Sequence, residues 1–291
     1  MRRRSLKNPR DDCDEKKRHL LATWEQLNEA CAVLPQLRSV IAQRPWKEFR
    51  AIVQKLGPTN DEPKLPVLMA LAFQASSVGA TEAELLNRLD AVLQAYECAG
   101  TGAAEDAVHR LAAWSAGHAG IVSELETFLR LNAAGTVRAT PRAPPGPDFS
   151  CAFPARSLSI EVKTLDDLQG ADKPLRMGDA SVSFSGFRGD SRPWAHEKLR
   201  STCKRVREQA RREPDSPTVA VLVNRTFVAK RSLDEAWDAM RVNWIGARVI
   251  GYILVPTKSE VRVRAAPGFE HEVGLVDTLV RDGAPHISRM F

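Results

Sequence analysis

The stretch Pro147-Asp148-Phe149-Ser150-Cys151-Ala152-Phe153, with Leu158-Ser159-Ile160-Glu161-Val162-Lys163 directly after it, decides how this chain folds. Both segments alternate apolar and polar residues with a period of two, which is typical of half-buried strands. The residues between them, Pro154-Ala155-Arg156-Ser157, suit a short turn. The sequence therefore predicts an antiparallel hairpin.

The polar face of this hairpin carries its acidic and basic side chains. The turn predicts a register in which Asp148 lies opposite Lys163, and Ser150 then lies opposite Glu161. Opposed Cβ atoms in a sheet are about 5 Å apart and diagonal ones about 7–8 Å, so Asp148 and Glu161 are predicted to lie close enough to share a cation. A slip of one residue would put them on opposite faces. The ordinary alternative is an exposed face with an Asp148–Lys163 ion pair.

A helix is predicted upstream of the hairpin, over residues 121–131, because its apolar residues form one broad stripe at helical spacing. Glu124 lies nearer the middle of that stripe than Glu126 does. A buried acid needs a partner, since an unpaired buried charge is costly. The partner can be a metal or, more ordinarily, an arginine. A strand over Thr136–Thr140 is predicted next, followed by a Pro-rich loop.

A basic helix is predicted downstream, from Pro193 to Glu213, followed by a buried strand over Thr218–Asn224. The stretch from Arg188 to Arg212 holds nine Lys/Arg and three Asp/Glu, a local net charge of +6. Such a cluster favours contact with a phosphate backbone, although a solvated helix face is the simpler alternative. The candidate nucleic-acid-binding residues are Arg188, Arg192, Lys198, Arg200, Lys204, Arg205, Arg207 and Arg211.

This order of elements and acids resembles the PD-(D/E)xK nuclease superfamily, over roughly residues 117–224. The resemblance implies an α/β fold with a restriction-endonuclease-like mixed central sheet flanked by helices. It also implies that Asp148, Glu161 and the Val162 carbonyl bind Mg²⁺, with Mn²⁺ as a substitute. A long insertion, Asp166–Arg188, departs from the simplest family pattern.

The resemblance assigns the remaining site residues as well. Lys163 is implied to position or activate the attacking water, and Glu124 matches the helix acid of many members, with Glu126 as its competitor. Glu124 is therefore a candidate metal ligand and catalytic residue. Gln209 matches a catalytic helix glutamine found in some branches. The implied reaction is metal-dependent hydrolysis of phosphodiester bonds without a covalent intermediate, and the family favours DNA as the substrate.

Composition narrows the class of protein. The chain has 291 residues, 43% of them hydrophobic and 27% charged, with a formal net charge of +6. No run of about 18 apolar residues indicates a membrane span, and no signal-peptide pattern opens the chain, so we expect a cytoplasmic protein. The five scattered cysteines argue against a disulfide framework and against a structural zinc site.

Three regions are predicted. Residues 1–20 form a basic flexible arm, residues 21–116 an all-helical N-terminal domain, and residues 117–291 the nuclease-like domain. Thr81 and Glu84 have capping-box spacing at the start of one helix. The helical domain could recognise DNA, dock a protein partner or regulate the nuclease.

The C-terminal region is predicted to extend the sheet. A helix is expected from Ser232, and strands are expected over Val249–Val255 and Glu260–Arg264.

The leading hypothesis is a metal-dependent nuclease. An alternative is a nucleic-acid-binding or assembly protein that keeps the fold without cleavage. A third possibility abandons the family and leaves an α/β protein with a salt-bridged hairpin and an unknown partner.

Overall fold

The computed structural model describes most of the chain. The described residues are 9–57, 65–77, 81–100, 102–113, 118–133, 138–141, 147–153, 157–165, 192–211, 217–224, 235, 249–256, 262–265, 268 and 270–282. Within them the protein is a mixed α/β structure, with a helical N-terminal region followed by a sheet.

Seven of the described helices precede the sheet. They are α1 (Pro9–Ala32), α2 (Leu37–Ala42), α3 (Arg44–Gln54), α4 (Val67–Ser77), α5 (Glu82–Ala99), α6 (Ala103–Ala112) and α7 (His118–Ala133). None of the helices in the described part of the chain is long and apolar enough to cross a membrane.

Hydrogen bonds explain where two of these helices begin, one through local residues and one through a distant residue. The Thr81 hydroxyl accepts a hydrogen bond from the Glu84 backbone N–H, and the Glu84 carboxylate accepts one from the Thr81 N–H, so the predicted capping box of α5 is confirmed. The first turn of α2 is capped from a distance, because Asp90 Oδ1 on α5 accepts hydrogen bonds from the backbone N–H groups of Gln36 and Leu37 at 2.8 and 2.9 Å. No local pattern indicated this second cap.

Residues 9–20, which the sequence places in a flexible arm, belong to α1. Asp11 and Asp12 lie in its first turn, where acidic side chains complement the helix dipole. Leu20 is fully buried in the core, so the packed part of α1 holds the charged part in the same helix.

The sheet has six strands in sequence order: β1 (Arg138–Pro141), β2 (Phe149–Ala152), β3 (Ser157–Leu165), β4 (Thr218–Asn224), β5 (Val249–Pro256) and β6 (Arg262–Ala265). β1, β2 and β3 pair antiparallel, β3, β4 and β5 pair parallel, and β6 is antiparallel to β5. The helix α8 (Arg192–Ala210) lies between β3 and β4 in the chain, and α9 (Glu270–Asp282) follows β6. Each predicted strand in the described residues is present, with small shifts at the ends.

The predicted hairpin forms, but the predicted register differs from the observed one by two residues. Cys151 lies opposite Leu158 and Ser150 opposite Ser159, so Ser150 does not face Glu161 as expected. Continued by two residues, the same register puts Asp148 across from Glu161 instead of Lys163. Because side chains alternate faces with a period of two, a shift of two leaves each residue on its predicted face.

Both faces of β3 are covered, which is why it is buried along nearly its whole length. Leu158, Ile160 and Val162 join a core cluster that includes residues of α7 and continues into the helical region. The opposite face packs against α8, whose buried stripe is Leu199, Cys203, Val206 and Ala210. The helical region and the sheet therefore share one apolar core across the boundary predicted near residue 117.

Two predicted segments cannot be compared with the described residues. The insertion Asp166–Arg188 lies outside the described residues, as does most of the helix predicted from Ser232. Cys151 is buried on the core face as predicted, and all five cysteines are free thiols.

Candidate functional site

Asp148 lies just before β2, where Pro147 interrupts the ladder because proline has no N–H to donate. Asp148 Oδ2 accepts a hydrogen bond of 2.7 Å from the Val162 backbone N–H. The last residues paired between the two strands are Phe149 and Ile160. Val162 lies two residues beyond Ile160, and there the side chain of Asp148 accepts the hydrogen bond from the strand. This contact holds the Asp148 carboxylate at the edge of β3, beside Glu161 and Lys163.

Glu161 is the most deeply buried acid near this point, with 0% of its surface exposed. Its carboxylate forms an ion pair with the Lys163 ammonium. Its Oε1 is the oxygen that the ammonium contacts, and its Oε2 has no hydrogen-bond partner in the described part of the chain. A buried carboxylate with unused acceptor capacity is costly, and a bound cation would satisfy it.

The charges of the cluster shift one another's protonation. Burial raises the pKa of Asp148 well above its ordinary value, and the negative charges of Glu124 and Glu161 raise it further. Burial also raises the pKa of Glu161, although Lys163 opposes that shift. For Lys163, burial alone would lower the pKa, but the charges of Asp148 and Glu161 outweigh it and raise the pKa. Lys163 is therefore a cation at neutral pH.

Glu124 on α7 belongs to the same electrostatic group, and its partner is an arginine. Arg110 on α6 donates two hydrogen bonds to it, from Nη1 to Oε2 at 2.6 Å and from Nη2 to Oε1 at 2.7 Å. Both carboxylate oxygens of Glu124 are thus engaged by one guanidinium. Glu126 is only half-buried, and the acid that faces the cluster is Glu124.

Tyr96 on α5 connects the helical region to the start of β2. Its ring meets Phe128 edge-on at 4.9 Å and Phe149 edge-on at 6.2 Å. Burial raises the pKa of the Tyr96 hydroxyl, and the charges of Glu124 and Asp148 raise it further. This aromatic group packs beside the residue that follows Asp148, and so holds that end of the hairpin against α5 and α7.

The predicted basic residues divide by exposure. Four on or just after α8 are exposed, namely Arg200, Lys204, Arg205 and Arg211, while Lys198 and Arg207 are half-buried. Arg188 lies outside the described residues, and nothing is described of the Arg192 side chain. Gln209 is half-buried on α8, and its Oε1 is buried with no hydrogen-bond partner in the described part of the chain.

The donor set near Asp148 is small. Among the described residues, no group of three or more His, Cys, Asp or Glu side chains is arranged so that it could hold a metal ion. A pair of carboxylates still suits Mg²⁺, which keeps several waters and commonly uses one or two protein carboxylates. Glu161 Oε2, which has no partner among the described residues, fits such an ion, whereas both oxygens of Glu124 are already taken by Arg110.

Two residues of this site were missed from the sequence, namely Arg110 and Tyr96. Arg110 lies in a helix with ordinary i,i+4 spacing to Asp106, which gives no hint of a partner on α7.

Comparison with protein-family models, with curated proteins and with solved structures gives no match to this chain.

Proposed function

We propose that this protein is a metal-dependent nuclease that hydrolyses phosphodiester bonds of nucleic acid, with DNA as the favoured substrate, on a restriction-endonuclease-like core. The observation that carries the proposal is the Asp148–Glu161–Lys163 group. Two carboxylates and a cationic lysine lie together at the open end of one hairpin, and among the described residues the buried Glu161 Oε2 has no hydrogen-bond partner.

Asp148 and Glu161 would hold a Mg²⁺ or Mn²⁺ ion. The Val162 carbonyl is a candidate third ligand, because the N–H and C=O of one strand residue are directed at the same neighbouring strand, and the Val162 N–H already meets Asp148. When bound, the ion would acidify a water and polarise a phosphoryl oxygen.

The residues of the chain prepare the site for that chemistry. Lys163 is cationic in the metal-free protein, so it contributes positive charge and a hydrogen-bond donor. Burial and the neighbouring acids raise the pKa of Asp148 and of Glu161, and a bound cation would oppose that shift because it favours the ionised carboxylates.

The exposed cations of α8 would contact the phosphate backbone of the substrate. The neighbouring face of the same helix is buried against the sheet that carries Glu161. Phosphate contacts of this kind give affinity without sequence preference.

The proposal is tested by titrating Mn²⁺ calorimetrically and by assaying plasmid cleavage with Mg²⁺. We expect Asp148→Ala and Glu161→Ala to lose both metal binding and cleavage, and Lys163→Ala to lose cleavage while it keeps measurable metal binding. Glu208→Ala is the matched control, because it removes an exposed acid from α8, and it should behave as the wild type. Cleavage that persists in all three site variants would refute the proposal.

The second candidate is a nucleic-acid-binding protein without cleavage activity. The exposed basic face of α8 favours it, since that face could bind phosphates whether or not a metal is held. A folded wild type that binds DNA but neither binds Mn²⁺ nor cleaves DNA would favour this candidate.

A further inference from the structure

The Arg110–Glu124 pair joins the helical region to the proposed metal site. The guanidinium comes from α6 and the carboxylate from α7. The charge of that carboxylate, Glu124, also acts on Asp148, Glu161 and Lys163. A two-pronged guanidinium–carboxylate contact fixes both distance and orientation. Glu124 is therefore held in place by a residue of the helical region.

Gly120 makes room for this arrangement. It lies one helical turn before Glu124 on α7, and a Cβ built on it would come within 3.3 Å of Arg110 Nη2. Gly120 is the third residue of α7, and the absence of a side chain there leaves room for the end of the Arg110 side chain.

The charges of the cluster can be counted. Glu124, Asp148 and Glu161 bring three negative charges when ionised, and Asp106, which also pairs with Arg110 at 3.4 Å, brings a fourth. Arg110 and Lys163 bring two positive charges, so the remaining two negative charges match one divalent cation. Without Arg110, the cluster would have a third free carboxylate and one more net negative charge.

We propose that Arg110 is a positioning residue that keeps Glu124 out of the coordination shell of the cation, so that the helical region limits the site to one divalent ion held by Asp148 and Glu161. This inference rests on the proposed function, since it presupposes a cation at that site. It assigns the helical region a direct part in setting metal affinity and stoichiometry.

The test is a double-mutant cycle of Arg110→Gln and Glu124→Gln, with the Mn²⁺ dissociation constant and stoichiometry measured by calorimetry and the Mn²⁺ environment followed by electron paramagnetic resonance. Arg50→Gln is the matched control. Arg50 pairs with Glu25 and lies over the Trp24 ring in the helical region, so its loss should leave Mn²⁺ affinity unchanged. Arg110→Lys keeps the charge and serves where the glutamine variant folds poorly.

The wild type should bind one Mn²⁺ with a mononuclear spectrum, and Glu124→Gln should change its affinity by less than about threefold. In the Arg110→Gln background the freed Glu124 becomes a ligand, so adding Glu124→Gln should weaken binding by about tenfold or more. Arg110→Lys, which holds Glu124 less firmly, should give an intermediate coupling.

Three outcomes would overturn the inference while leaving the nuclease proposal intact. They are two Mn²⁺ ions in the wild type, a loss of affinity in Glu124→Gln as large as that in Asp148→Asn, or an effect of Glu124→Gln that is equal in both backgrounds. Folded wild type without specific Mn²⁺ binding would overturn the metal site itself, and the inference with it.

Discussion

Two buried acids, one in the helical region and one in the sheet, show what distinguishes a structural carboxylate from a candidate functional one. Asp90 is 7% exposed and Glu161 is 0% exposed. Asp90 accepts two backbone hydrogen bonds that cap α2. Glu161 Oε1 is paired with the Lys163 ammonium, but its Oε2 accepts no hydrogen bond from any described residue. Burial is similar, and the difference lies in whether the acceptor capacity of the carboxylate is used.

The buried carboxylate of the helical region therefore stabilises the fold by capping a helix. The burial of the Glu161 carboxylate in the sheet is only partly compensated, by its ion pair with Lys163. Unsatisfied buried polar groups are uncommon in native proteins and often occur at functional sites. Arg110 links the two regions, because its guanidinium lies in the helical region and pairs with Glu124, an acid of α7 beside the sheet.

The largest expected effect is that of Glu161→Gln. We expect Mn²⁺ affinity to fall by at least about 100-fold, because outer contacts alone already account for 10–100-fold in metal sites. The free energy of unfolding without metal should be unchanged or higher, because the raised pKa of Glu161 shows that its ionised form is disfavoured in the fold. Chemical denaturation at neutral pH would measure this, and a clear destabilisation would break the comparison with Asp90.

Asp90→Ala should have the opposite profile. We expect it to lower the free energy of unfolding by about 2–3 kcal/mol, because two backbone donors lose a charged acceptor, and to leave the Mn²⁺ affinity unchanged. Asp90→Asn is the control. Both hydrogen bonds use Oδ1, which asparagine can replace, so its cost should stay below about 1 kcal/mol. Equal losses in the two variants would mean that the cap is not what makes Asp90 stabilising.

The smallest effect is the pH dependence of the metal-free protein. The pKa values of Asp148 and Glu161 are raised above their ordinary 3.8 and 4.5, so the folded state binds more protons than the unfolded state in the window above those values. Stability should therefore fall as pH rises through the raised pKa values. Denaturation midpoints across that window would measure it.

The matched variant for this pH dependence is Asp148→Asn. It should flatten the profile, because it removes the acid whose pKa is raised well above its ordinary value. A profile that rises over the same window in the wild type would contradict the assigned shifts.

Much of the fold was predictable because it is written in local periodicity. The continuous apolar run Thr218–Asn224 is β4 with the same bounds, and the alternation in the hairpin placed Asp148, Glu161 and Lys163 on one face. The stripe on α7 identified Glu124 as a buried acid that needs a partner, and that partner is an arginine.

Other features of the structure were not predicted correctly, because they depend on contacts between segments that are distant in the sequence. The predicted register was wrong by two residues, since both registers leave the same side chains in the core and only the turn and the packing around it select one. The predicted flexible arm overlaps α1, because its composition is that of a solvated segment while its helix continues into buried Leu20.

The sequence by itself determined the strands, their faces and the residue types that make a cation site credible, because alternation and helical spacing are properties of neighbouring residues. Only the tertiary structure decided that Glu161 Oε2 has no partner among the described residues, that Arg110 pairs with Glu124, and that Gly120 makes room for the guanidinium. Those facts depend on how elements far apart in the chain pack together, and no local pattern of residues records such packing.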